Sequence, residues 1–261
     1  MNIAKKFRTL VKTIRIYKSW PLMVRSSLPG FRMKGPTVCR LRCGVSYEVE
    51  SWSDLHVIRE VWTHGHYDRF VGMIGEGATV IDVGAHIGVF AIKAAARAPK
   101  GRVFAFEPLP DNIARLKKNI LRNGLSDRIT VVESAVSGAN GTRDLYVMPE
   151  RFSPSLYPLK DNQGKVSITC TTLHDAFDAY KIERCDFLKI DCEGPELEIL
   201  AATAPEYFKR IRSITIETHD HLISENAGNA EKIEALLKGS RFEVSPSNDG
   251  THMLFARNTL L

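Results

Sequence analysis

The 261-residue sequence has no run of 18 apolar residues, so none of it reads as a membrane-spanning helix. It has few cysteines: Cys39, Cys43, Cys170, Cys185 and Cys192 are odd in number, scattered, and form no C-x-x-C pair. That argues against a disulfide framework or a structural zinc and makes a reducing compartment the expected setting. Internal repeats and low-complexity tracts are absent too. Negative charge is missing from one end. Residues 1–42 hold eleven of the 36 Lys and Arg and no acid, whereas beyond them the acids outnumber the bases by 30 to 25. The net charge of +6 therefore belongs to an N-terminal arm, which implies a docking segment rather than a generally nucleic-acid-binding protein.

Within that arm Ile3, Phe7, Leu10, Val11 and Ile14 fall at helical spacing, with Lys and Arg on the other face. Two readings are open. The helix can lie on an anionic membrane through residues 1–20, each cation near the surface contributing about 1 kcal/mol. Alternatively it packs on its own domain and leaves a solvated basic face. An acid-free, Arg-rich start also resembles an organellar transit peptide. The expected organisation is an arm over residues 1–36, a small hairpin and helix extension over 37–76, and a main domain over 77–261.

In the extension Val38, Leu41, Val45, Tyr47 and Val49 alternate with polar residues, and the pattern becomes helix-like from Asp54 to Phe70. From Thr79 onward strand and helix patterns alternate, the signature of a doubly wound α/β sheet. Strands are expected at 79–83, 102–107, 129–133, 187–191 and 213–217, and helices at 89–97, 110–123 and 195–202. A strand pair at 144–147 and 166–171 flanks a Ser/Pro/Tyr loop and leads to a short helix at 172–180. A helix at 230–238 and strands at 242–244 and 253–256 close the sheet. The expected fold is thus α/β, Rossmann-like and mostly parallel with an antiparallel C-terminal strand, plus the small N-terminal α/β extension.

The strongest motif is Val80-Ile81-Asp82-Val83-Gly84-Ala85-His86-Ile87-Gly88, a strand ending in an acid and a glycine turn opening a helix. Gly84 lets the backbone approach a ligand, and Gly88 lets the helix pack closely on the strand. The spacing is D-x-G-x-x-x-G, not the G-x-G-x-x-G of dinucleotide sites. A pyrophosphate wants bare N–H groups at a helix start, whereas the cationic S-adenosylmethionine wants a carboxylate, here Asp82. Glu107, followed by Pro108, ends the next strand and can accept hydrogen bonds from both ribose hydroxyls. Helix capping is the plain alternative for both acids. Ser134 and Ala135 fall where adenine would lie, although a simple turn accounts for them as well. The expected cofactor set is Asp82, Gly84, Ala85, His86, Gly88, Glu107, Pro108, Ser134, Ala135 and Asp191.

A second cluster, Asp186-Phe187-Leu188-Lys189-Ile190-Asp191-Cys192-Glu193-Gly194-Pro195-Glu196, sets carboxylates at the carboxyl end of the fourth strand, where open α/β sheets bind ligands. Asp191 is expected to face donor and acceptor, and Glu193 to serve as base or ligand. Lys189 can pair with these acids, while Glu196 reads as a dipole-stabilised acid of a first helical turn. The fifth strand ends Ile216-Glu217-Thr218-His219-Asp220-His221. Asp191, Glu217 and His219 can together hold a divalent ion such as Mg²⁺, or His219 can act as a metal-free base. The catalytic candidates are Asp191, Glu193 and His219.

These stretches, with Phe104-Ala105-Phe106-Glu107-Pro108, Leu116-Lys117-Lys118-Asn119, Asn123-Gly124-Leu125 and Thr172-Leu173-His174-Asp175, resemble the FkbM family of methyltransferases over about residues 45–220. The resemblance implies a class I S-adenosylmethionine-dependent fold and O-methylation of sugar hydroxyls in glycolipids, surface polysaccharides or glycosylated natural products. By position it assigns Asp82, Gly84 and Glu107 to the cofactor and Asp191 and Glu193 to the reaction site. His86 departs from the family, which commonly has Asn there, and the carry-over stops at residue 220. Acceptor choice would fall to Tyr47, Asp54, His66, Tyr67 and the Phe152–Tyr157 loop. A cytoplasmic enzyme, peripheral at the inner membrane face, with a glycan or glycolipid acceptor and no nucleic-acid partner is the expectation. An RNA or protein methyltransferase, or a non-catalytic nucleoside-binding scaffold, is the competing reading.

Overall fold

The computed structural model describes residues 3–147, 156, 164–219, 228–247 and 251–261. Helices α1 (Ile3–Ile16) and α2 (Trp20–Arg25) lead to an antiparallel hairpin, β1 (Thr37–Arg40) and β2 (Ser46–Val49), then to α3 (Trp52–Arg59) and α4 (Asp68–Val71). Next come β3 (Thr79–Val83), α5 (Val89–Arg97), β4 (Arg102–Phe106), α6 (Pro110–Arg122) and β5 (Ile129–Val132). Strands β6 (Ala135–Val136), β7 (Gly141–Val147) and β8 (Gly164–Thr171) make a separate small sheet. The chain continues through α7 (Leu173–Ala179), β9 (Phe187–Ile190), α8 (Glu196–Ala201), α9 (Pro205–Phe208) and β10 (Ser213–Glu217). Helix α10 (Asn229–Gly239) and strands β11 (Phe242–Pro246) and β12 (Met253–Asn258) end it.

The main sheet has the order β11-β12-β10-β9-β3-β4-β5. Strands β3, β4, β5, β9 and β10 pair in parallel, and β12 runs antiparallel between β10 and β11. This is the class I methyltransferase arrangement, mostly parallel with an antiparallel last strand. The chain leaves the centre in one direction through β4 and β5 and in the other through β10. The carboxyl ends of β3 and β9 therefore flank the crevice at the switch point, where ligands bind in such sheets. Both strands are buried along their length, as their Val, Ile, Leu and Phe content demands of a sheet covered on both faces.

Helix α5 shows how the N-terminal extension attaches. Every residue from Val89 to Ala95 is buried, Lys93 included, so this helix is covered on all sides. The sheet takes one side. The other is taken by the extension, where Lys93 donates to the Val61 carbonyl (2.8 Å) and pairs with Asp68. One apolar core runs from Tyr17, Met23, Tyr47 and Leu55 through Val80 and Ile92 to Phe187. The hairpin is tied to α6 by two asparagines one helical turn apart. Asn119 accepts from the Glu48 N–H (2.7 Å) and donates to the Ile87 carbonyl (3.0 Å). Asn123 accepts from the Ser46 N–H (2.9 Å) and donates to the Ser46 carbonyl (2.8 Å). These amides do for the edge of β2 what a further strand would do.

Most expected elements lie within a residue or two of those observed. Helices α2 and α9 and strand β6 were not expected, and β7 begins three residues early, because Gly141-Thr142-Arg143 carries no apolar alternation. Of the Phe152–Tyr157 loop only Leu156, which is buried, lies inside the described residues.

Asn119 is fully buried. Replacing it with Ala strands the Glu48 N–H and the Ile87 carbonyl, and is expected to cost about 2–4 kcal/mol in urea unfolding. A loss no larger than that of an exposed Leu121→Ala control would show that the amides do not hold the extension.

Candidate active site

Lys189 stands in the middle of the sheet with its ammonium buried. It meets Asp82 Oδ1 at 3.0 Å, the Gly84 carbonyl at 3.0 Å and Asp191 Oδ2 at 3.4 Å. Burial alone would lower its pKa, but Asp82 and Asp191 outweigh burial and raise it, so it is a permanent cation. Asp82 is fully buried and pairs with Lys189 through Oδ1, while its Oδ2 has no hydrogen-bond partner among the described residues.

The glycines act differently from expectation. A Cβ on Gly84 (φ +77°) would lie 1.9 Å from the Asp191 carbonyl oxygen. What the glycine admits is thus the neighbouring strand end, at the edge of a cleft that it also lines. A Cβ on Gly88 would lie 2.4 Å from Leu116 Cδ1, so this residue lets α6, not the strand, approach closely.

Glu107, at the end of β4, is almost fully buried and held by three donors. The His86 N–H reaches Oε2 (2.8 Å), and the Leu109 N–H and Asn112 Nδ2 reach Oε1 (3.1 Å each). Burial pushes its pKa up against the pull of these donors. Asn112, which the sequence reading passed over, fixes the orientation of this carboxylate from the first turn of α6. His86 has a left-handed backbone (φ 51°), its Nε2 lies 3.8 Å from Asp54 Oδ1, and its buried Nδ1 has no hydrogen-bond partner among the described residues.

At the end of β9, Asp191 lies between two cations. Burial opposes its charge, but Lys189, His219 and the Tyr67 hydroxyl outweigh burial and hold its pKa below the ordinary value. His219 Nδ1 bonds Glu196 Oε1 at 2.7 Å, and its Nε2 faces Glu193 Oε2 at 3.4 Å and Asp191 Oδ1 at 3.9 Å. Burial disfavours its charge, yet these acids raise its pKa to about 10, so the ring is an imidazolium at neutral pH. Glu196 is therefore the buried partner of His219 rather than a simple dipole acid. The Tyr67 hydroxyl donates to Asp191 Oδ2 at 2.7 Å and lies 3.3 Å from Glu217 Oε2. Burial, then the charge of Asp191, pushes Glu217 up to about 8, so it holds a proton that it can donate to Tyr67.

The ligand atoms of Asp191, Glu193 and His219 lie within 4.8 Å of one another. The expected metal set of Asp191, Glu217 and His219 is not the one gathered: Glu193 takes the place of Glu217, which is turned to Tyr67. Asp220, His221 and Tyr157 fall outside the described residues.

A cleft of about 930 Å³, mouth included, opens beside these groups. Of the ten residues expected to hold the cofactor, Gly84, Ala85, His86, Glu107, Pro108, Ala135 and Asp191 line it, together with Glu193. Asp82, Gly88 and Ser134 do not; the Ser134 hydroxyl donates to the Ala135 and Thr169 carbonyls, the work of a turn. Among the residues expected to select the acceptor, Tyr67 and, from the Phe152–Tyr157 loop, Leu156 line the cleft. Tyr47 is fully buried and donates to the Val89 carbonyl, whereas Asp54 caps α3 and accepts two bonds from Arg115. Both are structural. His66 lies beside Glu60, away from the lining.

Burial holds the His86 pKa down at about 4, below the 6.5 of a free ring. The unfolded chain therefore binds the extra proton first, and this share of stability, complete above about pH 6.5, is lost as pH falls towards 4. Replacing His86 with the non-titrating Asn should flatten urea midpoints over that window, leaving the variant ahead by about 2 kcal/mol at pH 4.5. Parallel curves for the two proteins would refute the assignment.

Residues 82–244, more than half of the chain, match the family described as Methyltransferase FkbM domain. Methyltransferase sdnD of Sordaria araneosa is 25% identical over 76% of this chain and 86% of its own. The 31-O-demethyl-FK506 methyltransferase FkbM of Streptomyces tacrolimicus is 29% identical over 77% of this chain and 88% of its own. Hexuronic acid methyltransferase AglP of Haloferax volcanii is 23% identical over 81% and 84%, respectively. The chain, with its sheet order and its acids at three neighbouring strand ends, belongs to the FkbM family of S-adenosylmethionine-dependent methyltransferases.

Proposed function

We propose that the protein methylates a hydroxyl group of a glycan-type acceptor, such as a glycolipid, a surface polysaccharide or a glycosylated natural product. The observation that carries this reading is the charge cluster at the end of β9. Lys189 and His219 stand against the carboxylates of Asp191, Glu193 and Glu196, and among the groups that line the cleft the carboxylates of Glu107, Asp191 and Glu193 outnumber the one ammonium of Lys189, which makes the wall acidic. Such a wall suits a cationic ligand and repels a pyrophosphate. The relative named for 31-O-demethyl-FK506 supports an oxygen acceptor, and the one named for hexuronic acid supports a sugar.

The cleft fits S-adenosylmethionine. Glu107 offers a pre-oriented carboxylate, the unpaired buried nitrogen of His86 awaits a polar partner, and Phe106, Val136 and Leu145 supply an apolar wall. When bound, this cofactor supplies a methyl group carried on a sulfonium. The protein must then orient the acceptor and take the proton of a weakly acidic hydroxyl. His219 already holds a proton, which disfavours it as that base, and Lys189, His219 and Tyr67 lower the basicity of Asp191 while leaving its Oδ1 free of a hydrogen bond among the described residues. Glu193 lines the cleft on a left-handed backbone (φ 60°) and is the base in this reading, with Asp191 orienting the hydroxyl. A second reading rests on the gathered atoms of Asp191, Glu193 and His219, which suit a divalent ion that would displace the imidazole proton.

Incubation with radiolabelled methyl donor and extracts of glycolipid, polysaccharide and RNA should label a glycan-containing fraction. Label confined to RNA or protein would overturn the acceptor class. On the labelled acceptor, Glu193→Gln should lower kcat about 10²–10⁴-fold while changing the affinity for S-adenosylhomocysteine less than about threefold. Near-normal turnover would remove Glu193 from the base role. In the metal-free reading, prior dialysis against EDTA leaves the rate unchanged; a loss restored by Mg²⁺ would establish the second reading instead.

A further inference from the structure

Helix α1 is amphipathic, yet it does not rest on the domain through its apolar face. Thr13 and Tyr17 are the residues it buries, with the Tyr17 hydroxyl donating to the Ile58 carbonyl (3.2 Å) and lying 2.9 Å from the Thr63 hydroxyl. Ile16 packs on the core beside them, and Arg42 secures the last turn by donating to the carbonyls of Ile16 (2.8 Å) and Ile14 (2.9 Å). At 100° per residue, Phe7, Leu10, Val11 and Ile14 form a stripe that adjoins this buried face and turns away from it, Val11 and Ile14 half-buried. Phe7 is 66% exposed and Leu10 38%, and none of the four joins the core. Cations frame the stripe: Arg8 and Arg15 on one flank, Lys6 on the other, all exposed and without an ion pair among the described residues.

A helix that stabilises its own domain buries its apolar stripe. Here Thr13 and Tyr17 are buried while Phe7 and Leu10, at the outer end of the stripe, are left in solvent, which needs a reason outside the chain. Trp20 and Leu28, farther along the same acid-free arm, are exposed as well, at 38% and 58%. We propose that this face of α1 docks the enzyme on an anionic lipid bilayer, Phe7 and Leu10 entering the headgroup boundary while Lys6, Arg8 and Arg15 meet lipid phosphates. The two features together select this partner. A nucleic acid would use the cations but has no call for an exposed Phe and Leu stripe, whereas an anionic bilayer offers negative charge above an apolar layer. Docking is independent of which acceptor is methylated.

Flotation of the full chain with vesicles tests the proposal, using phosphatidylcholine alone or with roughly a 30% share of phosphatidylglycerol. The protein should float with the anionic vesicles and not with the neutral ones. Phe7→Ser with Leu10→Ser should reduce partitioning at least about tenfold. Arg8→Glu with Arg15→Glu should reduce it about 100-fold or more. Both pairs should keep wild-type affinity for S-adenosylhomocysteine by calorimetry, which shows that the fold is intact. Failure of the wild-type chain to float would overturn the proposal, and so would flotation that the serine pair does not change. RNA binding that survives the serine pair, with no flotation, would assign the arm to nucleic acid instead.

Discussion

A cation buried between the two central strands governs the geometry of this protein. An ammonium in the middle of a sheet is tolerable only if carboxylates and carbonyls surround it. Lys189 is therefore met by Asp82 from β3, by the Gly84 carbonyl beyond that strand and by Asp191 from its own strand. Those contacts fix the ends of β3 and β9 against each other at the switch point, and the Gly84 turn has to be tight enough to let the Asp191 carbonyl in. Asp82 faces the ammonium from inside the sheet, and Asp191 is the acid of the three-group cluster that lines the cleft.

A second ionic layer is built on the first. Asp191 is half-buried and not held by Lys189 alone: His219 approaches it from beyond β10, itself held by Glu196. The imidazolium then faces Glu193 as well, so that two carboxylates at the end of β9 share one buried cation. Because Asp191 keeps its charge, the neighbouring Glu217 gives its own up, and the Tyr67 hydroxyl bridges the two. The protonation state of each group follows from the one before it. The result is a wall whose charges are fixed before any ligand arrives, the preorganisation that electrostatic catalysis uses.

Much of this was legible in the residues. The parallel strands declared themselves through continuous Val, Ile and Phe runs, and a turn after an acid located the cleft. The pairing of Lys189 with the acids was readable too, because a lysine inside an apolar strand needs a partner. What escaped was the choice among equivalent acids. Asp82 and Asp191 both end strands, and only the register, which sets Lys189 beside Asp82, decides which is buried against it. Glu196 likewise partners His219 while Glu217 turns to Tyr67, since sequence spacing does not say which of several acids a histidine beyond the strand will turn to. Asn119 and Asn123 were noticed as family residues, and their work of capping the open edge of β2 emerged only from the tertiary contact between hairpin and α6.

The extension is consequently part of the site and not an appendage to it. After α3 the helix widens into a π turn over Glu60–His64, closed by Gly65 in the left-handed conformation. Such a turn re-aims the chain that follows it, and it delivers Tyr67 to Asp191 across 124 residues of sequence. Tyr17, at the end of α1, is hydrogen-bonded to Thr63 inside that same π turn. The arm, the π turn and the tyrosine that bridges Asp191 and Glu217 thus form one packed unit. Helix α1 is therefore joined, through Tyr17 and Thr63, to the same turn that sets Tyr67 against Asp191 at the cleft.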